Sequence, residues 1–129
     1  MQAVYYRAAD GTEPVAAYLR LLKGRREPNL KNQIERLNML GRAEHLPIEY
    51  SKQVEGELRE LRCHYGSELY RIYYRRSGNL FVLLHIIRKL GERLPEADTT
   101  ITRERWRDFK ARMDARPRIP PRAAGHDAP

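Results

Sequence analysis

The amino-acid sequence predicts one α+β domain in which an N-terminal strand and a helical hairpin pack on a small antiparallel sheet. Two patterns support this prediction. Apolar residues recur at helical spacing between residues 12 and 41, and three runs of β-forming residues follow one another between residues 58 and 88. A length of 129 residues fits a single domain. With a last helix after the sheet, the predicted element order is β-α-α-β-β-β-α.

The N-terminal part begins with a strand over residues 2–8, which are rich in β-forming side chains and precede an Asp-Gly turn pair. Thr12 offers an N-cap for a first helix, in which Pro14 sits in the first turn without losing a needed N–H. This helix is expected to end at Gly24, and a second helix is expected to end at Gly41. Each helix has one apolar face, so the hairpin is expected to bury these faces against a sheet.

Three strands are predicted next, over residues 58–64, 69–76 and 79–88. Short connections that contain glycine separate them, which favours consecutive antiparallel hairpins. Residues 102–115 form the last predicted helix. Its apolar stripe consists of Trp106, Phe109 and Met113. Residues 116–129 contain four prolines and few apolar side chains, so the expected division is a domain over residues 1–115 and a basic, disordered tail over residues 116–129.

The charge balance favours a polyanionic partner. Lys and Arg number 25 against 17 Asp and Glu, which gives a net charge of +8, and 20 of the 25 cations are arginine. The planar guanidinium suits phosphate oxygens and stacks on bases, although a GC-rich genome also enriches arginine. Cys63 is the one cysteine, and no long apolar stretch or secretory pattern is present. We therefore expect a cytoplasmic protein without disulfides or membrane contact.

Strand alternation indicates where charged side chains meet. Strict alternation over residues 80–87 puts His85 on the same face as Phe81 and Leu83. The strand faces opposite the helical hairpin would bring together Arg62, Arg71, Tyr73 and His85, with Lys89 just past the strand end. Metal-free RNA cleavage needs a group that takes the ribose 2′-OH proton, cations for the phosphorane charge and an acid for the leaving 5′-oxygen. This set of side chains therefore resembles the site of a metal-free ribonuclease.

Structural roles for the same residues remain open. The arginines could instead form ion pairs with Glu60 or Glu68, and His85 could be a hydrogen-bonded core histidine. The four histidines have no paired spacing, and one cysteine cannot build a structural zinc site, so no metal or other cofactor is expected. No P-loop, GxGxxG, GxSxG or HExxH motif occurs, which leaves nucleotide hydrolysis and serine hydrolase chemistry without support.

Four segments resemble a known family. The segment KQVEGELRELR at residues 52–62 resembles the K-x-L-x-G-L-x-E-L-R stretch of RelE/ParE-superfamily toxins. YRIYY at residues 70–74 and LLHIIRK at residues 83–89, with Pro95 following, are similar to two later stretches of that family. The opening VYYRAADGTEPVAAYL also matches. The resemblance covers roughly residues 3–110 and is closest to the HigB-like, phage Gp49-like branch.

The resemblance implies a RelE-like fold and the toxin of a type II toxin–antitoxin pair, inhibited by a cognate antitoxin. RelE and HigB toxins enter the ribosomal A site and cut mRNA without metal. The positions that match their site are Lys52, Arg62, Arg71, His85 and Lys89. Arg62 and Arg71 would hold the phosphate, His85 or else Lys52 would handle the 2′-OH proton, and Lys89 would contact phosphate or act as the acid.

Further RNA contacts are expected from Tyr73, Arg75, Arg88 and Arg105, with Tyr73 stacking on a base. The sequence departs from the family pattern at Ile87 and Leu90, where an aromatic residue and a second lysine are usual. A non-catalytic alternative therefore stays open. In that alternative, the same fold serves a ParE-like poison of DNA gyrase or an inactive phage-derived remnant.

Overall fold

A computed structural model describes residues 1–41, 46–88, 95–115 and 120–125. The elements are β1 (Gln2–Tyr5), α1 (Pro14–Arg20), α2 (Arg26–Asn38), β2 (Ser51–Glu55), β3 (Leu58–Tyr65), β4 (Glu68–Ser77), β5 (Leu80–Arg88) and α3 (Glu96–Asp114). The predicted α+β class and the order of strand, two helices, strands and helix are confirmed. In the described residues, no helix combines the length and apolar character needed to cross a bilayer.

The five strands form one mixed sheet with the order β1-β5-β4-β3-β2. β1 pairs with β5 in parallel, whereas the other neighbours are antiparallel. Strand β2 was not predicted, because Lys52 and Gln53 are exposed on this edge strand and no apolar run marks it. A polar edge strand is a common means of preventing pairing with other chains.

The sheet separates two hydrophobic clusters. On one side, which we call the hairpin face, α1 and α2 pack through Leu19, Leu30 and Ile34 against Leu61 and Ile72. On the other side, the α3 face, α3 contributes Phe109, Trp106 and Met113 to a smaller cluster. This cluster also contains Val4, Tyr6, Leu58, Tyr73, Val82 and Leu84. The predicted apolar stripe of the last helix therefore packs as expected.

Two helix starts differ from the prediction. Thr12 does not cap α1. The N-cap position is occupied by Glu13, and no side chain forms a capping hydrogen bond there. The Glu13 carboxylate pairs instead with Arg122, at 3.0 Å. α3 begins at Glu96, six residues before the predicted start, and carries two acidic residues in its first turn, where they favour the helix dipole.

β5 contains a β-bulge that breaks the alternation of its side chains. Tyr73 on β4 is opposite His85, but the next residue, Tyr74, is opposite Leu83, which leaves Leu84 as an extra residue. As a result, Leu84 and His85 both lie on the α3 face, while Leu83 and Ile86 both belong to the hairpin-face cluster. The predicted grouping of His85 with Phe81 and Leu83 is therefore wrong.

Residues 120–125, which fall within the tail predicted to be disordered, lie along the free edge of β1, while residues 116–119 and 126–129 of that tail lie outside the described residues. The Tyr5 amide donates to the Arg122 carbonyl at 2.9 Å, and the Ala124 amide donates to the Ala3 carbonyl at 2.8 Å. Ala124 is fully buried, and the Arg122 guanidinium lies 4.8 Å from the centroid of the Tyr5 ring. The reason is that β1 has an open edge, whose unpaired backbone groups accept an extended segment even when that segment is rich in proline.

Removing residues 120–129 is expected to lower the free energy of unfolding by roughly 2 kcal/mol, because two backbone hydrogen bonds at about 1 kcal/mol each are lost. Urea unfolding followed by circular dichroism measures this change. A chain that ends at Gly125 is the control, since it keeps both hydrogen bonds. Equal stability of the shortened chain and the full chain would contradict the prediction.

Candidate functional site

The sheet register brings four of the five predicted catalytic residues onto the α3 face. Lys52 is opposite Glu60, Glu60 is opposite Tyr73, and Tyr73 is opposite His85, so these residues form one row across β2, β3, β4 and β5. In the adjacent row, Arg62 on β3 is opposite Arg71 on β4. Lys89, the fifth predicted residue, lies outside the described residues.

Arg71 and Glu60 form a buried ion pair at the centre of this face. The Arg71 Nε atom is 3.5 Å from Glu60 Oε2, and the two residues are only 3% and 6% exposed. Removing one partner of such a pair leaves an uncompensated buried charge, which is strongly destabilising. The ion pair that the sequence allowed for Arg71 is therefore present with Glu60, whereas Glu68 pairs with Arg26 at 2.6 Å.

Tyr73 lies on this face and is fully buried. Its ring stacks on that of His85, with centroids 6.3 Å apart and an angle of 26° between the planes. Burial raises the pKa of the Tyr73 hydroxyl to about 12, against the opposing effect of the neighbouring Arg71. Stacking of Tyr73 on an RNA base would require the overlying elements to move, because both its depth and its contact with His85 hide the ring.

Both ring nitrogens of His85 are occupied by α3. Nε2 is 2.6 Å from Asp98 Oδ1, and Nδ1 is 3.0 Å from the Arg105 guanidinium. Because a guanidinium only donates, Nδ1 accepts and Nε2–H donates to Asp98, which defines one neutral tautomer. Arg105 also donates to the Leu84 carbonyl at 2.8 Å. Burial lowers the pKa of His85, which Asp98 opposes and Arg105 reinforces.

The predicted RNA-contacting arginines have separate environments. Arg105 is turned inward by its bonds to His85 and Leu84. Arg88 is opposite Tyr70, whose ring belongs to the hairpin-face cluster, so Arg88 does not share the face of Arg62 and Arg71. Arg75 lies on the α3 face, where its guanidinium is 4.5 Å from the Trp106 ring centroid.

The accessible positive charge of the α3 face comes from its flanks. Lys52 is exposed on the edge strand, and Arg62 and Arg75 are partly exposed, whereas Arg71 on the same face is buried. The Nε atom of Arg62 is buried and has no hydrogen-bond partner within the described part of the chain. An anion at this surface would therefore meet Lys52 and Arg62 before it reached Arg71.

Sequence reasoning missed three residues that shape the site. Glu60 appeared only as an ion-pair partner, Asp98 lay before the predicted start of the last helix, and Trp106 was assigned only to the core. A carboxylate on the strand face that carries the cations was the available signal for Glu60. Among the described residues, no cluster of three or more His, Cys, Asp or Glu side chains could hold a metal ion.

A family model, that of the phage-derived Gp49-like proteins (DUF891), matches residues 17–107. Because the match covers well over half of the chain, this protein belongs to the Gp49-like family. The family is associated with the toxins of toxin–antitoxin systems. No match is found among curated proteins or among solved structures. The matched range contains Lys52, Arg62, Arg71 and His85, together with Asp98 and Arg105 of α3.

The free energy of unfolding is expected to fall as the pH is lowered below about 6.5, the ordinary pKa of histidine. His85 has a lowered pKa in the folded state, so the unfolded chain binds its proton first and acid favours unfolding until the folded-state pKa is reached. Urea unfolding between pH 7.5 and 5 measures this slope in the wild type, in His85→Gln and in His64→Gln, whose histidine is exposed. A slope that survives in His85→Gln and disappears in His64→Gln would contradict the assignment.

Proposed function

We propose that this protein is the toxin of a type II toxin–antitoxin pair and that it cleaves mRNA on the ribosome as a metal-independent endoribonuclease. The observation that supports this best is the sheet register. Lys52, Arg62 and Arg71 lie on one face with His85 and a carboxylate, Glu60, in the sequence order that resembles RelE and HigB toxins. Membership of the Gp49-like family adds the toxin–antitoxin context.

In the proposed reaction, the ribose 2′-oxygen attacks the adjacent phosphorus, the 5′-oxygen leaves, and a 2′,3′-cyclic phosphate remains. The 2′-OH loses one proton and the leaving oxygen gains one, so the site needs a base and an acid. Lys52 and Arg62 are the cations best exposed to hold the phosphate, and buried Arg71 supplies fixed positive charge beneath it. Lys89 remains a proposed second phosphate contact or the acid.

His85 is the proposed base, through Nδ1 of its neutral form. In the structure Arg105 donates to this nitrogen, so the proton can reach Nδ1 only after Arg105 has moved. A phosphate attracts a guanidinium strongly, which offers Arg105 an alternative partner when RNA is bound. Lys52 is the alternative base, because it is exposed and lies in the same cross-strand row.

The occupied nitrogens of His85 also favour a second candidate function. If Arg105 and Asp98 hold His85 permanently, the fold acts as a binding module without nuclease activity, either as a ParE-like poison of DNA gyrase or as an inactive phage-derived remnant. For an active toxin of either kind, a cognate antitoxin would block the α3 face, and the target would be the ribosome with its mRNA or DNA gyrase. Both targets place the protein in the cytoplasm.

Induced expression of the wild type is expected to stop growth and to produce cuts in translated mRNA. Lys52→Ala and Arg62→Ala should each reduce cleavage about 100-fold or more, because each removes a cation that stabilises the transition-state charge. Sequencing of new mRNA ends measures the cuts. Arg20→Ala, an exposed arginine on α1, is the matched control and should cut as the wild type does.

Growth arrest with intact mRNA, unchanged by Lys52→Ala and Arg62→Ala, would overturn the nuclease proposal. A supercoiling assay with purified gyrase then distinguishes the poison from other targets. Normal growth with intact mRNA, at a protein level confirmed by immunoblot, would identify an inactive remnant.

A further inference from the structure

A cleft on the α3 face, distinct from the row around His85, lies between the β2–β3 turn and α3. Its volume is about 420 Å³, within the range of small-molecule sites, roughly 300–1,000 Å³. Leu58 and Leu84 form an apolar part of the lining, and Trp106 contributes its indole ring. Three arginines, Arg75, Arg103 and Arg107, and one carboxylate, that of Glu55, complete its charged lining. The cleft is therefore aromatic, partly apolar and positively charged.

Arg75 and Trp106 already form a cation–π contact in this cleft. The guanidinium lies 4.5 Å from the indole centroid, and the indole also stacks on Phe109 with centroids 5.8 Å apart. The Nε atom of Arg75 is buried and has no hydrogen-bond partner within the described residues, whereas its Nη2 atom donates to Glu57 Oε2 at 3.2 Å. A guanidinium plane next to an aromatic ring is a surface on which nucleobases stack.

The rim of the cleft has an ion pair that an anion can open. Arg103 binds Glu55 through two hydrogen bonds, at 2.8 and 2.7 Å, and the side chains are 50% and 40% exposed. Exposed pairs of this kind contribute little to stability, so the exchange of Glu55 for a phosphate at Arg103 costs little. Arg103 is thus paired with Glu55 in the free protein and can bind an anionic ligand instead.

The cleft lies near the proposed cleavage site on the same face of the sheet. Arg75 and Arg71 are on the same face of β4, four residues apart, which corresponds to roughly 13 Å along an extended strand. Leu84, which lines the cleft, is the bulge residue next to His85. A single RNA strand whose phosphate lies at Arg62 and Arg71 therefore passes the cleft with a neighbouring nucleotide.

We propose that this cleft binds one nucleotide of single-stranded RNA beside the cleaved bond. Its base stacks against the Arg75–Trp106 pair, and its phosphate replaces Glu55 as the ion-pair partner of Arg103. The choice of RNA as ligand rests on the proposed nuclease function. An acidic segment of a protein partner is the competing occupant. It is disfavoured because carboxylates would bind the arginines without using the aromatic surface of Trp106, whereas a nucleotide offers a phosphate for the arginines and a base for that surface.

Trp106 is the one tryptophan of the chain, so its fluorescence reports on this cleft directly. A ten-nucleotide single-stranded oligoribonucleotide added to the full-length protein is expected to quench the emission in a saturable manner. Anisotropy of the labelled oligonucleotide measures total binding in parallel. Binding with no change in Trp106 emission would place the RNA elsewhere and overturn the proposal.

Two substitutions at the rim are expected to act in opposite directions. Arg103→Gln should weaken the quenching affinity at least about fivefold, in the range of a lost nucleotide contact. Glu55→Gln should strengthen it, because Arg103 is then free for the phosphate. Arg20→Gln, which removes a distant exposed arginine, should change it less than twofold. If both rim substitutions shift the affinity in the same direction, the pair is a structural brace and the proposal fails.

Poly-glutamate is the probe for the competing occupant. Quenching by poly-glutamate as strong as that by RNA, with the same response to Arg103→Gln, would overturn the proposal in favour of an acidic protein segment. The outcome is separable from the nuclease proposal. Quenching with the predicted rim effects supports the cleft even if no mRNA is cut in cells, whereas a protein that cuts mRNA without a Trp106 response contradicts the cleft alone.

Discussion

The β-bulge in β5 is the constraint on which the α3 face depends. It places two consecutive residues, Leu84 and His85, on the same side of the sheet, and it leaves the Leu84 carbonyl outside the regular ladder. One guanidinium nitrogen of Arg105, on α3, donates hydrogen bonds to this carbonyl and to Nδ1 of His85. A single irregularity thus sets the position of the histidine, its tautomer and the attachment of the last helix.

Charge on this face is arranged in layers. The centre contains the buried pair of Arg71 and Glu60 beside the buried Tyr73, and accessible cations lie on the same face. A charge that is buried without a partner is strongly destabilising, so the carboxylate beside Arg71 is needed for folding as well as for any chemistry. The exposed lysine and arginines can be exchanged at much lower cost. This difference explains why the edge residues are the informative positions for mutation.

The predicted fold class was confirmed because it was inferred from local sequence patterns. Helical spacing in α1 and α2 and glycine turns between β3, β4 and β5 are short-range signals, which a single sequence contains. The misses have long-range causes. β2 has one apolar residue and exists because β3 offers it a partner, and residues 120–125 are ordered because β1 has an open edge far away in the chain. Pairing between distant segments has no local signature.

The sequence by itself determined the class of fold, the hydrophobic faces of the helices and the residue types needed for a polyanion-binding surface. It also placed Lys52, Arg62, Arg71 and His85 as a set, through resemblance to a toxin family. Only the tertiary structure decided that Arg71 is buried against Glu60, that Arg88 is on the opposite face and that both nitrogens of His85 are occupied. The physical reason is that strand alternation assumes a regular ladder. One extra residue in β5 changes every face assignment beyond it, and the partners of a buried charge depend on which strands become neighbours.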